Sequence, residues 1–279
     1  MTDNPFALDY VEPKQDDIFD AFDRERIDAP KPDHQPAKAA APKKEYAGKR
    51  GMVIHPDVIQ GSEEWHNLRL GLITASEIKY FLSPKTLKPL NNDKVRSHIW
   101  ELAAQRITQY VEPTYIGDEM LRGHDEEIIA RDLFSKHFAP VKNVGFITND
   151  EWGYTLGCSP DGLVGDEEGN EHKSRRQKFQ VQTIVEYFRH GTMPEEHLLQ
   201  VQFCMLVTRR PYWNYVSFSG GMPLLPIRVS ADPAIHEAIL TVTAEAERQI
   251  DEAVSDYNRA LEKGGWVPTE RTVRQEMYI

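Results

Sequence analysis

Apolar residues recur at helical spacing in several separate stretches of the chain. Residues 91–110 and 117–138 each carry an apolar stripe, and residues 195–208 are apolar almost all round. A stripe predicts a helix with one buried face, whereas apolar residues on every side predict a helix that is buried throughout. A long amphipathic helix is also predicted over about 233–262, because Asp232 can cap its start and a pair of glycines follows its end.

A shorter helix and several strands are predicted between these segments. Ser62 can cap a helix whose first turn is acidic and whose Trp65 and Leu68 would lie in the core. Short apolar runs bounded by turn residues predict strands. They are residues 144–148, 152–156, 211–218 and 224–229. The mixture of strands and helices predicts a domain of the α/β class.

Residues 1–50 differ in composition from the rest of the chain. They are rich in Asp, Lys, Pro and Ala and poor in branched apolar residues, so they cannot bury enough surface to offset the entropy of ordering them. We predict a disordered N-terminal arm over residues 1–50 and one folded domain over residues 51–279. Within the arm, the acidic and aromatic residues 16–22 are either a partner-binding peptide or a chance cluster.

Composition and charge limit the classes of function. The chain has 279 residues, of which 40% are hydrophobic, so it can bury a sizeable core. A formal net charge of −11 argues against a protein that coats nucleic acid through bulk electrostatics, and any contact with DNA must use a local basic patch. Cys158 and Cys204 do not form a Cys-x-x-Cys pair, and no apolar run approaches the ~20 residues that cross a bilayer. We therefore expect a cytoplasmic protein without a membrane segment.

The segment from Gly157 to Lys173 carries the candidate chemistry. Its turn residues predict two short strands joined by an acidic loop. Because alternate side chains of a strand share a face, Glu171 and Lys173 point one way and His172 the other. Asp161 can reach the face of Glu171. Two carboxylates and an ammonium suit a hydrolase of phosphodiesters, which needs oxygen ligands for Mg²⁺ and a positive group near the developing charge. The alternative is an ordinary turn with a surface ion pair.

Four blocks of sequence together resemble a known family. Ser159-Pro-Asp-Gly-Leu163 followed by Glu171-His-Lys173 resembles the core motif of the PD-(D/E)xK nuclease superfamily. The other three blocks resemble the lambda-type phage exonucleases within it, and they are residues 61–76, 122–134 and 200–209. The resemblance implies an α/β fold with a restriction-endonuclease-like core, in which helices flank a central mixed sheet.

The resemblance also assigns site residues by position. The residues that it implies for catalysis are Asp161, Glu171, Lys173 and Gln200. The metal ligands that it implies are Glu127, Asp161, Glu171 and His172, the last through its backbone carbonyl. The residues that it implies for binding DNA and its 5′-phosphate are Arg69, Ser76, Ser159 and Gln200. Two Mg²⁺ ions are expected, with Mn²⁺ able to substitute.

Three of these residues have a second interpretation or depart from the family. Glu127 lies among apolar residues, so its charge needs a cation, which could be Arg131 or a metal. Arg69 could bind a phosphate or form a surface salt bridge. His172 stands where an apolar residue is usual in the family, and a histidine buried there needs a hydrogen-bond partner.

The resemblance implies an exonuclease that degrades one strand of duplex DNA from the 5′ end. It would release mononucleotides and leave a 3′ overhang for a single-strand annealing protein in phage-type recombination. The resemblance further implies a homotrimer that binds double-stranded DNA ends. Two alternatives are an endonuclease of the same fold and a DNA-end-binding protein without catalysis. The basic run at residues 174–178 would contact the DNA backbone or form an ordinary solvated face.

Overall fold

The structure, a computed structural model, describes residues 51–112, 118–264 and 266–271. The predicted disordered arm over residues 1–50, with its acidic and aromatic segment, lies outside the described residues. None of the helices in the described part of the chain is both long enough and apolar enough to cross a membrane.

The described residues form a mixed series of helices and strands. The helices are α1 (Glu63–Arg69), α2 (Asp93–Thr108), α3 (Asp118–His137), α4 (Gln177–His190), α5 (Glu195–Thr208) and α6 (Pro233–Glu262). The strands are β1 (Met52–His55), β2 (Ile73–Thr74), β3 (Phe146–Asn149), β4 (Leu156–Cys158), β5 (Gly162–Val164), β6 (Glu168–Ser174), β7 (Tyr212–Phe218) and β8 (Leu225–Ser230). The predicted α/β class is confirmed.

The strands are divided between two four-stranded sheets. The order is β1-β3-β4-β2 in the first sheet and β5-β6-β7-β8 in the second. Both sheets are mixed, and in the second β6 runs parallel to β7, with Glu171 beside Tyr215 and Lys173 beside Ser217. Helix α5 contacts strands of both sheets, and residues 201–208 of it are buried. The helix predicted to be buried throughout therefore forms the centre of the core.

Helix α4 was not predicted because its apolar side chains do not mark its buried face. Phe188 is 84% exposed, whereas Gln180 and Thr183 are buried. The Gln180 amide donates to the backbone carbonyls of Ser217 at 3.2 Å and Pro223 at 2.8 Å. A polar side chain thus fixes this helix to β7, and hydrophobic periodicity does not report such a contact.

Helix α1 is less buried than its pattern predicts. It ends at Arg69, and none of its residues is fully buried. Trp65 and Leu68 are therefore half-buried rather than in the core. The predicted strand over residues 152–156 is also displaced, because residues 151–154 form a turn and β4 begins at Leu156.

The connection between α1 and β2 is anchored to the domain through Gly71. Its backbone N–H donates to Gln105 Oε1 at 2.9 Å, and its carbonyl accepts from Arg106 Nε at 2.9 Å. Arg106 also donates to Glu247 Oε2 at 2.7 Å, so one guanidinium joins α2, α6 and this connection. Arg69 lies only two residues from Gly71, and its position relative to the core is fixed as a result.

A test of the packing beneath β6 is Gly169→Ala. Gly169 lies beside Trp213 of β7, which is fully buried, and a methyl group at Gly169 would lie 2.2 Å from Trp213 Cζ3. We expect the substitution to lower the free energy of unfolding by about 1–3 kcal/mol, because the ring or the strand must shift. Gly220→Ala is the matched control, since no atom of the described residues lies within 4 Å of its Cβ position. Equal losses for the two variants in urea unfolding would contradict the prediction.

Candidate active site

Four polar side chains from three parts of the fold form an acidic cluster. Glu171 and Lys173 share one face of β6, Glu127 comes from α3 and Gln200 from α5. Lys173 Nζ lies 2.5 Å from Glu171 Oε1 and 3.8 Å from Glu127 Oε1. Gln200 Nε2 donates to Glu171 Oε1 at 2.5 Å. Lys173, rather than Arg131, is the cation that contacts Glu127.

Asp161 joins the acidic cluster from the segment before β5. Its backbone N–H donates to the carbonyl of Asn170 at 3.1 Å. Its Oδ2 accepts the backbone N–H of His172 at 2.6 Å. These two bonds hold Asp161 against β6 on both sides of Glu171, and its charge helps to raise the pKa of that residue.

Burial makes the ionised carboxylates of this cluster unfavourable. Glu171 is 1% exposed, and burial raises its pKa although Lys173 opposes the shift. Burial likewise raises the pKa of Glu127 to about 7, against the effect of Lys173 and with the help of Asp161. Burial alone would lower the pKa of Lys173, but the carboxylates, Glu171 foremost, raise it above its ordinary value. Lys173 is therefore an ammonium that donates hydrogen bonds in this arrangement.

The donor atoms of the acidic cluster suit a hard divalent cation. Carboxylate and carbonyl oxygens are the ligands that Mg²⁺ takes in proteins. Glu171 Oε2 is buried and has no hydrogen-bond partner among the described residues, so it remains as an acceptor for a cation. In the described part of the chain, no group of three or more His, Cys, Asp or Glu side chains is already arranged as a metal site. The oxygen atoms of the acidic cluster are therefore donors of the kind that Mg²⁺ binds.

His172 fills an apolar position with a neutral ring. The side chain is fully buried and lies edge-on to Phe134 of α3, with ring centroids 6.2 Å apart. Burial lowers its pKa to about 4. The expected hydrogen-bond partner is missing, since neither ring nitrogen is hydrogen-bonded within the described residues and Nδ1 is 3.9 Å from Asp161 Oδ2. The ring therefore packs against Phe134 as an apolar side chain would, with both nitrogens left without a hydrogen bond among the described residues.

A second group of side chains, the Arg69 cluster, consists of Arg69, Trp65, Thr74, Ser76 and Ser159. The Arg69 guanidinium lies 4.2 Å over the Trp65 ring, and its Nη2 donates to Thr74 Oγ1 at 3.1 Å. Trp65 Nε1 donates to Ser159 Oγ at 2.8 Å. Ser76, which is exposed, has its Oγ 3.4 Å from Thr74 Oγ1. Apart from Gln200, the residues predicted to bind a 5′-phosphate are Arg69, Ser76 and Ser159. All three are therefore linked through Trp65 and Thr74.

The segment from Cys158 to Asp161 joins the two clusters. Ser159 belongs to the Arg69 cluster and Asp161 to the acidic cluster, so about 7 Å of extended chain separates them. The carbonyl of Pro160 between them accepts from Gln60 Nε2 at 3.1 Å. Burial lowers the pKa of Arg69, but a guanidinium stays charged at any ordinary pH. One positive and one negative cluster therefore lie next to each other along a single short segment.

A cavity of about 320 Å³ opens beside Glu127 and Asp161. Its polar lining includes Gln60, His124 and Arg131, and apolar residues of the loop after β1 complete the wall. Pockets that bind small molecules begin at about 300 Å³. There is room for part of a nucleotide next to the carboxylates.

Two members of the basic run are engaged in contacts within the domain. Ser174 Oγ donates to Glu126 Oε2 at 2.5 Å, and Arg175 Nη1 donates to Glu196 Oε1 at 2.5 Å. Arg175 thereby connects the end of β6 to the start of α5. Lys178 is exposed on α4, where it could contact a DNA backbone.

Trp65, Thr74 and Glu77, whose carboxylate accepts from the Thr74 hydroxyl, were not predicted to be parts of the site. Trp65 has the spacing of a core residue, and that spacing does not distinguish a buried ring from one that stacks on an arginine. Thr74 and Glu77 enclose Thr-Ala-Ser-Glu, which has the form of a capping box. That motif could have marked the turn, although not its contact with Arg69.

A comparison with models of known families shows which family the chain belongs to. The model of the YqaJ-like viral recombinase domain matches residues 64–211, which is more than half of the chain. The chain belongs to this family. Among curated protein sequences, no match is found.

Solved structures of exonucleases have a similar fold. The alkaline exonuclease LHK-Exo from Laribacter hongkongensis is 26% identical, with a TM-score of 0.63, and the match covers 72% of this chain and 99% of that one. LHK-Exo in complex with dAMP matches with 27% identity and the same TM-score of 0.63, over 72% and 99% of the two chains. A phage related exonuclease from Haemophilus somnus 129PT, 12% identical over 69% and 99% of the chains with a TM-score of 0.51, shares the fold. The resemblance to the phage exonuclease family is confirmed.

A test of the acidic cluster is Gln200→Met, which removes the hydrogen bond to Glu171. We expect a loss of about 1.5–3 kcal/mol in the free energy of unfolding, because a buried carboxylate loses a donor. The matched control is Gln182→Met on α4, where an exposed amide donates to Glu186 at 2.7 Å. That loss should be about 0.5 kcal/mol or less. Similar losses in chemical denaturation would show that the Gln200 contact is no stronger than a surface contact.

Proposed function

We propose that the protein is a nuclease that acts on DNA, and more specifically a Mg²⁺-dependent 5′-to-3′ exonuclease on double-stranded DNA. It would release mononucleotides and leave 3′ single-stranded overhangs. Membership of the YqaJ-like viral recombinase family and the likeness to an alkaline exonuclease support the nuclease. The polarity, the metal and the products rest on the two clusters.

The observation that carries the proposal is the junction of the two clusters at residues 158–161. Ser159 contacts Trp65, on which Arg69 stacks, and Asp161 two residues later lies against β6 beside Glu171. An arginine with neighbouring hydroxyls is suited to a phosphate with free oxygens, which occurs at the end of a strand. Carboxylates placed directly beside that phosphate are suited to cutting the next phosphodiester bond. This arrangement favours release of one nucleotide at a time from the 5′ end.

The ligands proposed for Mg²⁺, with Mn²⁺ as a substitute, are the oxygens of Glu127, Asp161 and Glu171 and the carbonyl of His172. When bound, the cations would offset the repulsion among the carboxylates and stabilise charge on the attacking and leaving oxygens. The unpartnered Glu171 Oε2 supports this assignment.

The chain's own groups position the reacting atoms. Lys173, which is an ammonium beside Glu171, orients the attacking water and faces the charge that develops on the phosphate. Gln200 fixes Glu171 through its amide, which donates to Oε1 and leaves Oε2 as the acceptor for a cation, and it would contact the bound substrate from this position. Arg69 and Ser76 bind the terminal 5′-phosphate, and Ser159 orients Trp65 beneath the guanidinium.

Membership of the recombinase family also supports a proposal about the partner, the oligomeric state and the location of the protein. A recombinase family member that makes 3′ overhangs requires a single-strand annealing protein to use them, and we propose such a partner. We also propose that the protein forms a homotrimer around the duplex. Its proposed location is the cytoplasm of a phage-infected host.

The first experiment measures nucleotide release from linear duplex DNA with Mg²⁺, comparing 5′-phosphate with 5′-hydroxyl ends. We expect mononucleotides, a preference for the 5′-phosphate, and a fall in activity of about 100-fold or more in Lys173→Ala, because the charge at the reacting centre is lost. Arg69→Ala should lose the preference for phosphorylated ends. Lys94→Ala and Arg259→Ala, which remove exposed cations from α2 and α6, are the matched controls.

Each rival has a distinct outcome in the same assay. Cleavage of covalently closed circular duplex would indicate an endonuclease of this fold. Binding of DNA ends without any Mg²⁺-dependent release would indicate an end-binding protein without catalysis.

The metal proposal has a test that does not depend on activity. Mg²⁺ should raise the melting temperature, since binding stabilises the folded state by about 2.7 kcal/mol when its concentration is 100 times the dissociation constant. The increase should be smaller in Glu171→Gln, which removes one carboxylate ligand. A melting temperature of the parent protein that Mg²⁺ leaves unchanged would count against the metal site.

A further inference from the structure

The hydrogen bonds behind Arg69 have a defined direction. Arg69 Nη2 donates to Thr74 Oγ1 at 3.1 Å, and Thr74 Oγ1 donates to Glu77 Oε2 at 2.7 Å. A hydroxyl has a single hydrogen. Because the Thr74 hydroxyl donates that hydrogen to Glu77, only the lone pairs of its oxygen face Arg69. The carboxylate of Glu77 therefore sets the hydroxyl of Thr74 as an acceptor for the guanidinium.

This arrangement differs from an ordinary capping box in the use of the hydroxyl. In a capping box the threonine hydroxyl accepts the backbone N–H of the residue three positions later. Here that N–H, from Glu77, donates to the backbone carbonyl of Thr74 at 3.0 Å. Glu77 Oε2 accepts the N–H of Thr74 at 2.8 Å, as in a capping box. The local turn is thus satisfied without the hydroxyl, which contacts Arg69 instead.

The ring of His98 lies behind the carboxylate of Glu77. Glu77 Oε1 lies 3.9 Å from His98 Nε2. The His98 ring is buried, with its centroid 4.8 Å from that of Tyr80 and 5.5 Å from that of Phe81. Glu77 is therefore held by its two bonds to Thr74, and the His98 ring limits the space behind its carboxylate.

We propose that Thr74 and Glu77 are positioning residues that fix Arg69 in the orientation in which it binds the 5′-phosphate of a DNA end. This inference rests on the proposed function and adds the residues that prepare its end pocket. Trp65 covers one face of the guanidinium, and the bond to Thr74 fixes its rotation over that ring. A guanidinium carries five N–H donors, so one bond to Thr74 leaves donors for a phosphate.

The test uses the full chain with Thr74→Val, Thr74→Ser and Glu77→Gln, and determines KM and kcat on duplexes with 5′-phosphate or 5′-hydroxyl ends. Thr74→Val should raise KM for phosphorylated ends about tenfold, because a hydrogen bond to a charged group is lost. Glu77→Gln should raise it about threefold or more, since an amide accepts less strongly than a carboxylate. Thr74→Ser keeps the hydroxyl and should keep the preference of the parent. Changes in kcat, and in KM for 5′-hydroxyl ends, should stay within about twofold.

Several outcomes would separate this inference from the proposed function. If Thr74→Val and Glu77→Gln keep the parent's preference, or if Thr74→Ser loses it as fully as Thr74→Val, the positioning role is wrong while the proposed function stands. A parent protein without nucleotide release overturns both, and one that releases nucleotides without preference for a 5′-phosphate overturns the end pocket and this inference.

Two controls exclude a general effect of removing a carboxylate and a failure of the variants to fold. Glu252→Gln removes an exposed carboxylate from α6 and should leave every parameter unchanged. Melting temperatures show whether each variant folds, and if Thr74→Val does not, Glu77→Gln decides because it preserves the size and shape of the side chain.

Discussion

Lys173 and Glu171 are held 2.5 Å apart on an inner strand of a sheet, where Glu171 is almost wholly removed from water, and the rest of the site depends on that contact. A buried carboxylate is tolerated only with partners. Lys173 and Gln200 supply partners for one oxygen of Glu171, while the other has none among the described residues. An ion pair that served stability alone would satisfy both oxygens. The unsatisfied oxygen, together with the raised pKa of Glu127, supports the proposal that this site binds a cation or substrate.

The two clusters remain in register because short segments anchor them to one core. Ser159 and Asp161 are separated by a single proline, whose carbonyl is held by Gln60. On the other side, Gly71 is hydrogen-bonded through both backbone groups to α2, which limits the movement of Arg69. The distance between the Arg69 cluster and the acidic cluster is therefore set by backbone geometry rather than by long side chains. A substrate that reaches both parts must match that distance.

Sequence patterns predicted those parts of the site that follow a simple period. Strand alternation placed Glu171 and Lys173 on one face of β6 and His172 on the other, and an all-round apolar stretch located α5, which carries Gln200. The contacts of Trp65 and of the Thr74 hydroxyl follow no period, because they depend on where two loops and a short helix meet in space. Helix α4 was not predicted for a related reason, since its buried Gln180 is fixed by a carbonyl of β7 and one of the loop that follows β7. Periodicity reports burial against a uniform apolar core and does not report polar contacts between separate segments.

The departures from the family motif bear on the alternative of an end-binding protein that has lost its catalytic site. The residues that depart from the usual family motif are His172 and, after Lys173, Ser174, Arg175 and Arg176. The first three have separate places in the fold. The ring of His172 packs on Phe134, Ser174 donates to Glu126, and Arg175 donates to Glu196 at the start of α5. None of these contacts uses an oxygen of Glu127, Asp161 or Glu171. A decayed site accumulates changes at the ligands themselves, whereas here the changes lie around them and the acid, acid and lysine set persists. The pattern of substitution therefore supports catalysis over binding alone.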